Sequence, residues 1–232
     1  MAIKRYLAMT AAEIEGNRSP AHCVGWMACQ FSPYSRGLSN FPAALPEQSL
    51  LILNDFTPID GHDPSVVGAQ LRQCVDSMKC AALLLDFQRP GLEETAALTA
   101  FLAGALPCPV AVSESYATEL NCPVFLSPVP HHVPLRDYLA PWQNREIWLD
   151  LAPDGEVITL TEKGTVTTPL PPGPLPAHGH REPQLHCHYQ IELSESQAVF
   201  TLWRTREDLE ALLEEAEGLG VKTAVGLFQE LG

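Results

Sequence analysis

The residues best suited to chemistry stand at the end of one long apolar run. Residues 81–85 read Ala-Ala-Leu-Leu-Leu, and Asp86, Phe87, Gln88 and Arg89 follow directly. A positioned carboxylate is a common general acid or base, and an amide beside it can orient it by hydrogen bonding. We therefore take Asp86 as the leading candidate for a catalytic residue and place Gln88 in the same site.

Polar residues follow other apolar runs of the same kind. A run without polar interruption is typical of a strand buried on both faces, and a barrel of parallel strands gathers the residues at their carboxyl ends on one face. The catalytic candidates predicted on that face are Asp55, Asp86, Gln88, Glu114, Asp150 and Glu230. The candidate ligand contacts are Gln30, Tyr34, Phe87, Arg89, Phe228 and Gln229, and Phe31, Phe56 and Trp203 are further aromatic residues that could stack on a ring.

The order of elements predicts the α/β class and a (β/α)8 TIM barrel. The eight expected strands are residues 6–9, 24–29, 50–53, 82–85, 110–112, 124–126, 147–149 and 223–228. Helical patterns separate several of them, at residues 65–79, 92–106, 114–120, 135–142 and 206–219. Strand and helix in alternation indicate parallel βαβ units. One crossover is short, so we expect a somewhat reduced barrel.

A different pattern occupies residues 153–204. Residues 156–161 and 165–168 alternate around one turn, and residues 186–193 and 198–204 alternate around another, with a proline-rich stretch at 169–183 between them. Each pair predicts an antiparallel hairpin. We expect one domain overall: barrel strands one to seven in residues 1–152, an antiparallel β insertion in 153–204, and the last helix and strand eight in 205–232.

The charge balance narrows the choice of partners. The chain has 14 basic and 28 acidic residues, a net charge of −14, which repels nucleic acid and anionic membrane surfaces at long range. We therefore expect a small-molecule or oligosaccharide ligand, no nucleic acid, no membrane and no cofactor. The sequence also shows no signal-peptide core, which predicts a cytoplasmic protein. The oligomeric state is open.

The segment 81–90 resembles the fourth-strand motif of the chitinase-like glycoside hydrolases of family 18, which reads Asp-x-x-Asp-x-Asp-x-Glu and often continues as aromatic-Pro. The last strand, residues 224–230, is similar to that family's eighth strand, and Phe228 occupies the position of the tryptophan at the floor of its sugar site. The antiparallel insertion before strand eight is a feature of many members. The resemblance implies a TIM barrel with a saccharide pocket.

The catalytic part of that motif is degraded. Its four acids fall on Ala81, Leu84, Asp86 and Gln88, so one acid remains and an amide replaces the proton-donating glutamate. An amide cannot supply the proton, and general acid catalysis contributes roughly 10²–10⁴ in rate. If the chain hydrolyses a glycoside, we expect Asp86 to orient or stabilise the substrate and Glu114, Asp150 or Glu230 to donate the proton. The alternative is a non-catalytic saccharide-binding protein.

Two further questions concern the role of the other residues. Asp55 and Phe56 repeat the Asp-Phe pair of the motif, so two neighbouring strands could present paired carboxylates; alternatively, each aspartate caps its loop or pairs with an arginine such as Arg89. Two His-x-His pairs, His178/His180 and His186/His188, have a spacing that puts both rings on one face of a strand. They leave a metal-dependent hydrolase as a third hypothesis, although our main prediction includes no metal site.

Overall fold

The computed structural model describes residues 2–16, 23–89, 91–171, 173–176 and 178–231. The strands in chain order are β1 (Lys4–Met9), β2 (Cys23–Phe31), β3 (Leu38–Ser39), β4 (Leu50–Asn54), β5 (Ala82–Asp86), β6 (Val110–Ser113), β7 (Val124–Leu126), β8 (Ile147–Leu151), β9 (Gly155–Thr161), β10 (Gly164–Pro169), β11 (His180–Glu182), β12 (Cys187–Leu193), β13 (Gln197–Trp203) and β14 (Thr223–Leu227). The helices are α1 (Ala11–Gly16), α2 (Pro64–Met78), α3 (Glu93–Ala105), α4 (Glu114–Ala117), α5 (Leu135–Leu139), α6 (Arg206–Gly218) and α7 (Phe228–Leu231), with a 3-10 turn at Ala140–Trp142. Pro90, which ends the motif, lies outside the described residues.

Eight strands pair in parallel around a closed ring. Their order around it is β1, β2, β4, β5, β6, β7, β8 and β14, and β1 pairs with β2 on one side and with β14 on the other. The predicted TIM barrel is confirmed, and the run that ends in Asp86 is its fourth strand. Closure leaves this ring no free edge, which is why the strands can be apolar along their whole length.

The helices around the ring follow local sequence signals. Asp63 accepts a hydrogen bond from the backbone of Ser65 at the start of α2, and Thr205 and Asp208 form a capping box at the start of α6. Helix α4 is shorter than the sequence predicts, and α1 and α7 were not predicted. Within the described segments, no helix is both long and apolar enough to cross a membrane.

Side chains inside the ring come in levels two residues apart along each strand. Tyr6 and Trp148 stack near the amino-terminal end with ring centroids 6.4 Å apart. The next level is apolar and includes Ile52, Leu84 and Phe125. Because side chains alternate along a strand, the inward residues one level higher are those that follow these by two positions, and there the lining becomes polar.

The insertion is a five-stranded antiparallel sheet in the order β10, β9, β13, β12 and β11. Both predicted hairpins are present, and the pairing of β9 with β13 joins them into one sheet. Buried Arg204 at the end of β13 ties this sheet to the barrel. Its guanidinium donates to the carbonyls of four residues, two after β7 and two before β12, namely Val129, Pro130, Leu185 and His186.

We predict that Arg204→Met lowers the free energy of unfolding by about 3 kcal/mol, because it leaves one buried and three partly buried carbonyls without this donor. Urea unfolding of this variant beside Arg206→Met, whose parent side chain is exposed, would measure the difference. Equal midpoints for the two variants would contradict the tethering role of Arg204.

Candidate functional site

A cavity of about 290 Å³ opens at the carboxyl-terminal end of the barrel. Its apolar lining comes from inward positions of the strands, including Ile52, Leu84 and Val225, and its polar lining includes three carboxylates. Phe56 lines this cavity and is 77% exposed, which places its aromatic ring at the cavity's opening to solvent. The carboxylates are Asp86, Asp150 and Glu230.

Asp86 reaches the cavity because it lies two residues beyond Leu84 on β5. The Gln88 side-chain amide donates a hydrogen bond to its Oδ1. Gln88 itself is exposed, and it is not among the residues that line the cavity. Burial raises the pKa of Asp86, and the charge of Asp55 adds to this, whereas hydrogen bonds from Gln88 and Ser113 act in the opposite direction.

Asp55 has a different role from Asp86, although both precede a phenylalanine. The strand register places Asn54, not Asp55, beside Asp86. Asp55 is 3% exposed and accepts the backbone N–H groups of Gln88 at 3.1 Å and Arg89 at 3.0 Å. The Arg89 guanidinium lies 3.7 Å from the Asp55 carboxylate and donates to its backbone carbonyl. Asp55 therefore holds the loop after β5, and the paired carboxylates expected from neighbouring strands do not form.

Asp150 enters the same cavity from β8, three strands away from Asp86 around the ring. Burial and the charges of Asp86, Glu230 and Asp154 raise the pKa of Asp150 to about 7. A backbone hydrogen bond at Leu151 only partly offsets this rise. Asp150 is therefore a carboxyl group that holds its proton close to neutral pH.

Glu230 is brought to the cavity by the short helix α7. Gly226 makes this possible, because a Cβ there would lie 2.3 Å from Leu231 Cδ1 and 2.8 Å from the Leu151 carbonyl oxygen. The glycine lets α7 fold back directly after β14. Burial and the charge of Asp154 raise the pKa of Glu230.

The structure does not bring the other candidates into this cavity. Phe87 is fully buried on the outer side of β5, where its ring packs against Phe31 and Tyr116. Phe228 packs outside the barrel with Leu7 and Met9, so the residue that takes the inward position at the end of β14 is Leu227. Phe31 and Trp203 are likewise buried.

The remaining polar candidates have partners elsewhere. Ser127 donates to Glu114 at 2.8 Å, the side chain of Gln229 hydrogen-bonds to Glu13, and Arg89 is held by Asp55. Gln30 pairs with Ser39 between β2 and β3. Tyr34 is 96% exposed in the loop between those strands.

The two histidines of the second pair, His186 and His188, contact different carboxylates. His186 Nε2 lies 2.6 Å from Glu215 and His188 Nδ1 lies 2.8 Å from Asp208. These two acids are seven residues apart on α6, about 10 Å along its axis, so the two rings diverge. Among the described residues no three His, Cys, Asp or Glu side chains are grouped as metal ligands would be. The geometry thus gives the metal-dependent hypothesis no support.

Comparison of the fold with solved structures finds proteins that act on polysaccharides. A chitinase from Chromobacterium violaceum matches 99% of this chain and 95% of its own with a TM-score of 0.58 at 10% identity. The fold is that of the family 18 glycoside hydrolases. A family 18 chitinase from Cycas revoluta, solved with (GlcNAc)4, matches 96% of this chain and 94% of its own with a TM-score of 0.58 at 9% identity.

A third similar structure is the spore cortex-lytic enzyme SleL of Bacillus cereus. It matches 100% of this chain and 71% of its own with a TM-score of 0.61 at 8% identity. No family model and no curated protein sequence matches the chain. The resemblance is therefore one of fold, without detectable similarity of sequence.

Several cavity residues were absent from the leading sequence candidates. Phe56, which follows β4, was predicted only as a further aromatic residue that could stack on a ring. Met27, Phe125 and Leu227 were missed. The signal that could have found the missed residues is the two-residue alternation, counted outward from the apolar interior along each strand.

We predict that Asp150→Asn makes the free energy of unfolding depend less on pH between pH 4 and pH 8. Since the folded pKa of Asp150, about 7, lies above the unfolded value of about 3.9, the folded chain binds more protons between these pH values and wild-type stability falls as pH rises through them. The variant should gain up to about 4 kcal/mol relative to wild type between pH 4 and pH 8. Urea unfolding at several pH values would measure this, with Asp60→Asn, an exposed loop residue, as control. Parallel curves for wild type and Asp150→Asn would refute the raised pKa.

Proposed function

We propose that this chain is a glycoside hydrolase-like protein that cleaves a glycosidic bond in the cavity, with Asp150 as proton donor and Asp86 as the charged carboxylate. The observation that carries the proposal is the environment of Asp150. Its pKa of about 7 suits a general acid that works near neutral pH. The family 18 fold and the exposed ring of Phe56 at the cavity support a saccharide as the ligand.

Asp86 and Asp150 have different roles in this proposal because their surroundings differ. Asp86 receives hydrogen bonds from Gln88 and Ser113 that lower its pKa, whereas only a backbone hydrogen bond does so for Asp150. We therefore assign the proton to Asp150, whose pKa is raised to about 7, and the negative charge to Asp86. Pairs of carboxyl groups whose pKa values are pushed apart in this way are typical of acid–base sites.

The proposed reaction uses the protonated carboxyl of Asp150 and the charged carboxylate of Asp86. Asp150 gives its proton to the glycosidic oxygen as the bond from that oxygen to the anomeric carbon breaks, and Asp86 stabilises the positive charge that develops on the sugar. Water then adds to the anomeric carbon and returns a proton to the Asp150 carboxylate. Gln88 keeps Asp86 oriented and transfers no proton.

We predict that Asp150→Asn lowers kcat on an aryl N-acetylglucosaminide by about 10²–10⁴, the usual contribution of a general acid. Wild-type kcat should fall as pH rises through about 7, because the protonated carboxyl is the active form. Release of the aryl group measures both effects, and Asp60→Asn should match wild type. Full activity of Asp150→Asn, or a rate that is flat across pH 7, would contradict the assignment.

The second candidate function is a non-catalytic saccharide-binding protein. The amide of Gln88 favours it, because this residue stands where the family motif has its proton-donating glutamate. Binding of a chitin oligosaccharide without any turnover by the wild type would replace the hydrolase proposal with this one.

Gln88→Glu separates the two functions. If the wild type is a hydrolase of the proposed kind, the variant loses the donor to Asp86 and gains a second carboxylate, which favours protonation of Asp86, so we predict a fall in kcat of roughly tenfold or more. If the wild type only binds, the variant restores the family's acid and should gain turnover. The aryl glycoside assay reads both outcomes, and Gln73→Glu, at an exposed position on α2, controls for added charge.

A further inference from the structure

The cavity carries negative charge that no cation in its lining compensates. Asp86, Asp150 and Glu230 line it, and no lysine, arginine or histidine is among the described residues that do so. Arg89, which follows β5 closely, is already held by Asp55. A bound ligand therefore meets three carboxyl groups and no competing positive charge.

Asp86 and Glu230 both raise the pKa of Asp150. Burial is the largest cause for each, and the groups that face Asp150 are Asp86, Glu230 and Asp154, all acidic. Tyr138 on α5 also interacts with Asp150, whose charge helps to raise the pKa of the tyrosine hydroxyl. Part of the repulsion among these groups would be relieved by a positive charge placed between them.

The spacing of the carboxylates indicates what kind of cation fits. They come from β5, β8 and α7 and share one cavity, yet they do not form a cluster that could hold a metal ion among the described residues. The cavity of about 290 Å³ is apolar below them, and the exposed ring of Phe56 stands at the same cavity. An extended ring with a charged substituent suits this arrangement better than a point ion.

We infer that the saccharide taken by this cavity carries a free ammonium group, as a de-N-acetylated amino sugar does. The inference rests on the proposed function only in taking the ligand to be a saccharide. A neutral acetamido sugar would gain hydrogen bonds from the carboxylates but no attraction between opposite charges, and a sugar with acidic substituents would be repelled. The chain's net charge of −14 would also attract a polycationic saccharide at long range.

Proton release follows from this recognition. An ammonium group favours the ionised form of Asp150, whose pKa is raised to about 7, so its binding at pH 7 should expel protons to the buffer. Because the same effect removes the proton from Asp150, turnover of an amino sugar should have its optimum at lower pH than turnover of an acetamido sugar. Neither effect is expected for a neutral sugar.

The test is calorimetric titration of the full chain with tetramers of glucosamine, N-acetylglucosamine and glucose at pH 7. The glucosamine tetramer should bind at least roughly tenfold more tightly than the other two. Its affinity should fall with added salt, and its heat should vary with the ionisation enthalpy of the buffer, which reports proton release. Asp86→Asn and Asp150→Asn should each weaken it, whereas Asp60→Asn should not.

Three other results would contradict the ammonium inference. Equal or tighter binding of the N-acetylglucosamine tetramer overturns the ammonium inference and leaves the proposed saccharide function standing. Binding of none of the three tetramers overturns both. Saturable binding of calcium chloride alone, in competition with the glucosamine tetramer, would make the cavity a metal site and overturn the inference as well.

Discussion

Closure of the parallel sheet is the constraint on which the rest of the structure depends. β1 pairs with β2 and with β14, so every barrel strand has two neighbours and each inward side chain must fit inside the ring. The aromatic stack of Tyr6 and Trp148 and the apolar level above it fill the lower part. Space for a ligand remains only at the carboxyl-terminal end, where the chain leaves the strands and polar residues can reach inward.

Burial at that end decides how each carboxylate behaves. Asp55 and Asp86 have the same local sequence, but Asp55 turns toward two backbone N–H groups and Arg89, whereas Asp86 turns into the cavity with other acids. The first aspartate stabilises a loop as a paired ion. The second lies in a partly desolvated site, in which burial and neighbouring negative charges raise the pKa of its carboxyl groups. Asp150 is the clearest case, because its pKa is raised to about 7 and only a backbone hydrogen bond opposes that rise.

The residues at the motif positions of β5 have other roles in this chain. Leu84 stands where the motif has an acid, and it packs inside the barrel with Ile52 and Phe125. Gln88 donates a hydrogen bond to Asp86 from its side-chain amide. Three of the four motif acids are absent here, and besides Asp86 the acidic residues that line the cavity are Asp150 after the middle of β8 and Glu230 on α7.

The strand pattern by itself determined the fold: eight apolar runs, their order, and the two hairpins of the insertion all follow from period-two and uninterrupted apolar segments, which are local signals. It also identified Asp86, Asp150 and Glu230 as residues near one face. Tertiary structure alone decided that these three share a cavity while Asp55, Phe87 and Phe228 do not. The reason is that strand register and closure set which side chains point inward: a shift of one residue, as between Asn54 and Asp55, moves a carboxylate from the cavity to the outside.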